Sequence, residues 1–309
     1  METFGGTISA SRLKTYIQCP FKYYIEYILG IKKGDTFPTK SGTLVHKVLE
    51  KMAWGHRRHW KHIYLHFFRK YKPHLLHKDW EALPRTVEKR LLEDIDEFEG
   101  HAEDLVGLCQ GKSDPLWLFA EGISLIEDVL SREFNPLNAK IISPEKKFRI
   151  PIGDGITITG IIDLVSEVEP GVLEIRDWKS GNFIPKYEES KEDPQLRLYD
   201  LAASILYPDH EIRMLTFDYI KSKTFPYTFV INDEEREENR RWIIGVAKQI
   251  EADMNPRRIS SRPEGFWKCK ALCLPEDCNR EYPGRKEKLL QITNEKEKKK
   301  NKGKEKNKD

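Results

Sequence analysis

No run of apolar residues in this 309-residue chain approaches the roughly 20 needed to cross a bilayer. Met1 is not followed by a basic and then apolar leader, so neither a membrane protein nor a secreted precursor is expected. The default expectation is a cytoplasmic protein, cellular or viral in origin. A GxxxxGK[ST] phosphate loop is also missing, so any ATP-driven partner must be a separate protein. No internal repeat is present. Cysteine is scarce, with five residues: Cys19, Cys109, Cys269, Cys273 and Cys278. Clustered cysteines in a cytosolic chain are more often metal ligands than disulfides.

A large excess of one charge is lacking too, for the net charge is only +3. Its distribution is uneven. From Arg285 to Asp309 eleven Lys or Arg stand against five Asp or Glu, which leaves the rest of the chain near −3. That tail has no apolar period after Ile292 and cannot bury enough surface to fold. It either raises non-specific affinity for nucleic acid or is a solvated tail with no specific role. The remainder, residues 1–284, reads as one domain. Hydrophobic residues at 39% and aromatics at 11% suffice for a core, and 33% charged residues cover it.

Helical periodicity begins near Ser11, with Leu13, Tyr16 and Ile17, and Pro20 interrupts it. A second helix is expected over Ser41–Trp54, on the apolar stripe Val45, Val48, Leu49 and Met52. Trp60–Phe134 reads as mostly helical. The character then changes to Ile- and Val-rich segments at Glu145–Ile152, Ile156–Val168 and Val172–Lys179. Gly153-Asp154-Gly155 and Glu169-Pro170-Gly171 separate them, which predicts a three-stranded antiparallel meander. A helix over Asp193–Leu206, strands near Arg213–Lys221 and Thr224–Val230, and a helix over Glu234–Ala252 follow.

The meander carries the chemistry. If its second hairpin turns about Pro170, Asp163 lies opposite Asp177; if its first turns about Asp154, Glu145 lies opposite Asp163. Three carboxylates would form a row on one face, with Lys179 on that face because it follows Asp177 by two residues. Like charges opposite one another destabilise a sheet, and a hard divalent cation is the natural compensation. Cation and lysine together suit phosphodiester hydrolysis. The alternative is a solvated sheet face, since D-x-K alone carries little information.

The stretch GIIDLVSEVEPGVLEIRDWKSG, residues 160–181, resembles the core of PD-(D/E)XK nucleases of the RecB type. YIQCPFKYYIEYILG (16–30), SGTLVHKVLE (41–50) and PQLRLYDLAA (194–203) are similar to further elements of that family, in the same order. The resemblance implies a restriction-endonuclease-like α/β core, a central mixed sheet flanked by helices, with a helical insertion over about 54–144. It implies Mg²⁺ or Mn²⁺ on Asp163, Asp177, His46 and the Trp178 backbone carbonyl, with Lys179 positioning the attacking water. Glu145 would be an outer ligand or proton acceptor. Gln195 and Tyr199 would touch the metal site or the DNA backbone; a core aromatic is the alternative for Tyr199.

A subset of the family, including CRISPR-associated iron–sulfur exonucleases and the AddB nuclease domain, holds a [4Fe–4S] cluster on one N-terminal and three C-terminal cysteines. Cys19, Cys269, Cys273 and Cys278 are similar to these, and Zn²⁺ is the alternative occupant. The family commonly shows two and then five residues between the last three cysteines; here there are three and then four. Cys109 is expected to be a buried helix residue. WGHRRHWKHIYLHFFRKYK (54–72) interleaves aromatic and basic residues, which suits single-stranded DNA or an ordinary amphipathic helix. The expected activity is a single-strand-preferring exonuclease in DNA repair, recombination or CRISPR adaptation. A separate helicase or CRISPR integrase is the expected partner, and a catalytically silent binding module the alternative.

Overall fold

The computed structural model describes residues 6–30, 37–55, 60, 64, 115–210, 212–222 and 226–253. In chain order its elements are β1 (Thr7–Ile8), α1 (Ala10–Gln18), α2 (Pro20–Tyr23) with a π-helical turn (Tyr24–Ile28), α3 (Phe37–Ala53) and α4 (Pro115–Leu130). Then come β2 (Lys140–Gly153), β3 (Ile156–Glu169), β4 (Val172–Lys179), α5 (Tyr187–Lys191), α6 (Pro194–Leu206), β5 (Ile212–Tyr219), β6 (Tyr227–Val230) and α7 (Asp233–Ala252).

Six strands form one mixed sheet. Tight turns make β2, β3 and β4 antiparallel neighbours, with the backbone at Gly153, Asp154, Gly155 and Gly171 in the left-handed region such turns need. The connection from β4 to β5 runs through α5 and α6 and makes that pair parallel. β4 is central and buried along nearly all its length. β3 gives one edge to β2 and divides the other between β1, at Thr157 and Ile158, and β4, from Leu164 to Glu169. Its backbone between those two partners is therefore a gap in the sheet, and the candidate site lies there.

The expected registers are found. Leu164 pairs with Arg176 and Val165 with Ile175, as a turn about Pro170 requires. Pro144 pairs with Leu164 and Lys146 with Ile162, one on either side of Glu145 and Asp163. One boundary is corrected: β2 starts at Lys140, so residues 140–144 belong to the sheet and not to the helical insertion. Pairing with β3 extends strand structure through Ser143 and Pro144, which alone carry no strand signal. Of that insertion α4 is helical as expected, whereas 56–59, 61–63 and 65–114, with Cys109 and most of the aromatic–basic segment, lie outside the described residues.

Val165, Leu173, Ile175 and Leu215 of the sheet share a core with Leu13 and Tyr16 of α1, Leu198, Tyr199 and Ala202 of α6, and Ile243 and Ala247 of α7. Alternate β4 positions, Glu174 and Arg176, are buried in an ionic network. Arg176 donates to Glu174 at 2.7 and 3.1 Å and to Asp218 at 2.5 Å, and Arg132, just beyond α4, donates to both Asp218 oxygens at 2.7 Å. Removing one member of such a network strands the others, at about 3–5 kcal/mol.

Candidate active site

β4 ends by delivering Asp177, Trp178 and Lys179 to the gap in the sheet. The pairing of β3 with β4 stops at Leu164 and Arg176, one step short of Asp163 and Asp177. There Asp163 replaces a ladder carbonyl with its side chain: Oδ2 accepts the Trp178 N–H at 2.8 Å. The strands thus stay joined while two carboxylates face the opening.

α6 supplies the next layer. Asp193 caps its N-terminus, accepting from the Gln195 N–H at 2.8 Å, and Pro194 occupies the first turn, where no N–H is needed. Gln195 and Tyr199 sit one helical turn apart and both reach the site. The Gln195 amide nitrogen donates to Asp177 Oδ1 at 2.5 Å and to the Tyr199 hydroxyl at 2.9 Å. Its oxygen accepts from Lys179 at 2.8 Å and from Lys14 of α1 at 3.2 Å. These partners fix the amide orientation, because swapping its ends would turn the nitrogen toward two ammonium groups. Tyr199 donates to the Ile161 carbonyl in the gap of β3, with Asp177 Oδ1 at 3.3 Å as an alternative acceptor. Its ring meets Phe148 edge-on at 6.1 Å. Phe148 lies so close over Gly160 that a Cβ there would sit 2.6 Å from the ring.

α3 closes another side. A Cβ on Gly42 would sit 2.4 Å from Ser180 Oγ, so glycine lets the helix approach the residue following Lys179. One turn later His46 Nδ1 lies 3.3 Å from Asp163 Oδ2. The G-x-x-x-H spacing therefore has a physical basis: close approach, then a side chain on the same helix face.

Burial and mutual charge set the protonation states. Burial pushes the Asp177 carboxyl above its ordinary pKa, the nearby Asp163 charge adds to this, and Lys179 opposes it. Burial disfavours the Lys179 ammonium, but its ion pair with Asp177 outweighs that and its pKa is raised. The His46 imidazole follows the same pattern: burial works against the charged form, and the bond to Asp163 prevails to raise it. Lys14 is lowered by burial despite its 2.8 Å ion pair with Asp193.

The candidate residues therefore gather with one exception. His46, Asp163, Asp177, Lys179, Gln195 and Tyr199 form a connected set, and Trp178 bonds to it through its N–H, a different group from the carbonyl expected as a ligand. Tyr199 is both core aromatic and site residue. Glu145 lies at the edge of this set with its backbone in the left-handed region at φ 47°, and no hydrogen bond links it to either aspartate. Burial raises its pKa, which Lys47 opposes and Asp163 reinforces. Lys14 and Asp193 were missed. Their signal is helical spacing, which carries Lys14 to the side of α1 facing α6, but no sequence pattern says which helix α1 meets.

Asp177 Oδ2 is buried and its partner is the Lys179 ammonium. Among the described residues no group of three or more His, Cys, Asp and Glu side chains is placed to hold a metal ion. Two neighbouring carboxylates, one of them shared with Lys179, suit a hard cation that keeps part of its shell for water and phosphate, and not a fully enclosed four-ligand ion.

The PD-(D/E)XK nuclease superfamily profile matches residues 7–279, and the chain belongs to that superfamily. An ATP-dependent helicase/deoxyribonuclease subunit of Clostridium acetobutylicum is 26% identical over 222 residues, covering 64% of this chain and 18% of that protein. The equivalent helicase/deoxyribonuclease subunit of Streptococcus uberis is 24% identical over 184 residues, covering 58% and 14% respectively. The chain thus spans less than a fifth of the length of these relatives. A solved structure of a candidate exonuclease from Eubacterium rectale superposes with a TM-score of 0.50 over 87% of this chain and 89% of that one, at 11% identity. That likeness is one of fold. The six-stranded mixed sheet with flanking helices is the restriction-endonuclease-like α/β fold expected from the sequence.

Proposed function

We propose that the chain is a divalent-metal-dependent deoxyribonuclease, an exonuclease preferring single-stranded ends, serving DNA repair, recombination or CRISPR adaptation. The observation that carries the reading is the meeting of Asp163 and Asp177 where the ladder opens, with Lys179 held beside them by Gln195. The superfamily makes phosphodiester hydrolysis the reaction class, and the deoxyribonuclease names of the relatives favour DNA. Their helicase names favour work alongside an ATP-driven helicase.

Asp163 and Asp177 hold Mg²⁺ or Mn²⁺, with His46, the Trp178 carbonyl and Glu145 as further or outer ligands. When bound, the ion polarises a phosphoryl oxygen and lowers the pKa of water. Lys179, kept protonated by Asp177, orients the attacking water and faces the charge that develops on phosphate. Gln195 holds Lys179 and Asp177 in mutual register, and Tyr199 fixes Gln195. Residues 1–284 form the nuclease domain and 285–309 a basic tail.

Cys19 is buried where α1 ends and α2 begins. With Cys269, Cys273 and Cys278, which lie outside the described residues, it binds a [4Fe–4S] cluster that ties the two ends of the domain.

The test is incubation of end-labelled single-stranded DNA with Mg²⁺ or Mn²⁺, beside a Lys179→Ala control. Metal-dependent degradation, reduced at least about 100-fold in the variant, is expected. No cleavage by the folded wild-type protein with either ion refutes the reading and leaves a silent binding module.

A further inference from the structure

The cations of the described surface are mostly paired. Lys140 meets Glu167, Lys248 meets Asp154, Arg240 meets Glu237 and Lys191 meets Glu235. The middle of β2 is the exception. Lys147 and Arg149 find no carboxylate partner among the described residues, although both lie within four residues of Glu145. They project outward, alternating with the buried Phe148, Ile150 and Ile152. Across the hairpin they stand against Ile161 and Thr159, and Ile161 is 42% exposed. Arg149 reaches the Thr7 hydroxyl at 3.2 Å, and the Thr7 carbonyl takes Arg12 at 2.9 Å. Arg12 too has no carboxylate partner among the described residues. A line of cations therefore leaves the edge of the candidate site at Glu145 and runs along the hairpin through Lys147 and Arg149 to Arg12.

We propose that this line is the track along which the substrate DNA strand lies, its phosphates against Lys147 and Arg149 and an unpaired base against the exposed Ile161 side chain. The inference rests on the deoxyribonuclease reading and adds the path of the strand beyond the site. Three observations favour a single strand of nucleic acid as the occupant. The charges are of one sign and uncompensated, which a polyanion satisfies. Residues two apart on a strand lie about 6.6–6.8 Å from each other, comparable with successive phosphates of an extended single strand. The row also starts at the site, so a strand bound on it places one phosphodiester at Asp163 and Asp177.

The test uses the full chain carrying both Lys147→Ala and Arg149→Ala, with Lys140→Ala as a control that removes an exposed cation elsewhere. Affinity for labelled single-stranded and duplex oligonucleotides is measured by fluorescence anisotropy in Ca²⁺ over a range of salt, and cleavage in Mg²⁺ or Mn²⁺ is followed in parallel. Losing two phosphate contacts lowers the magnitude of the salt slope by about 1.4, and affinity at 0.1 M salt by roughly 25-fold. A dinucleotide substrate that only fills the site loses little, and Lys140→Ala matches wild type. An unchanged slope and affinity in the double variant, with wild-type cleavage intact, overturn the track while leaving the nuclease reading in place. A loss confined to duplex DNA also overturns it. Absence of cleavage by wild type with the binding loss retained strikes the nuclease reading alone.

Discussion

Replacing Tyr199 with Phe removes one oxygen from the junction of sheet and site, and its consequences can be worked out from the contacts. The hydroxyl donates to the Ile161 carbonyl, in the stretch of β3 that neither β1 nor β4 pairs. It also accepts from Gln195 at 2.9 Å. The ring stays against Phe148, so apolar packing is preserved. An acceptor stripped of its partner costs about 1–3 kcal/mol. Because Ile161 is 42% exposed, water can reach part of that backbone, and the lower half of the range, about 1–2 kcal/mol, is expected. At about 2–4 °C per kcal/mol, the melting temperature should fall by about 2–8 °C. Thermal and urea unfolding of metal-free protein measure this, and single-turnover cleavage should fall with it because the Gln195 amide loses a contact that orients it. A melting temperature within about 1 °C of wild type, with an unchanged urea midpoint, would show that the Ile161 carbonyl does not depend on Tyr199.

Other outcomes follow from the same network. His46 has a raised pKa in the fold, so its contact with Asp163 stabilises metal-free protein fully below the ordinary histidine value of about 6.5 and ceases to do so as pH rises through the raised one. Melts across pH should show that loss, and His46→Ala should flatten it. Since a ligating imidazole must be neutral, apparent Mn²⁺ affinity by calorimetry should fall as pH drops through the raised value. Lys14→Ala should slow cleavage about tenfold by freeing Gln195 Oε1 and Asp193, with Lys14→Arg recovering part of the rate; equal rates in wild type and Lys14→Ala would exclude this. Cys19→Ser should lower the iron content of anaerobically purified protein and its visible absorbance; unchanged iron would remove Cys19 from the ligand set.

Much of the site was legible because hairpin geometry is local. Turns about Asp154 and Pro170 are marked by glycines, and once they are placed a period of two fixes which residues face one another. The registers at Leu164–Arg176 and Lys146–Ile162 follow directly. What escaped depends on which elements meet in space. Nothing in SRLKTY indicates that Lys14 will share an amide oxygen with Lys179, because that contact requires α1 to pack beside α6. The left-handed backbone at Glu145 was likewise invisible: a glutamate between proline and lysine gives no warning of positive φ. The length of β2 was underestimated for a related reason, since pairing with β3, not propensity, carries it back to Lys140.

The opening of the ladder explains why stability and the candidate chemistry meet at the same atoms. A sheet that paired β3 and β4 through Asp163 and Asp177 would place two carboxylates in direct opposition, which is unfavourable. Parting the strands there leaves main-chain groups without ladder partners. Asp163 takes the Trp178 N–H and Tyr199 takes the Ile161 carbonyl, so two of them are met by side chains of the site itself. Asp177 Oδ2 is held by the Lys179 ammonium. A cation bound between Asp163 and Asp177 would relieve the repulsion between the aspartates, so binding it should stabilise the fold as well as prepare the site.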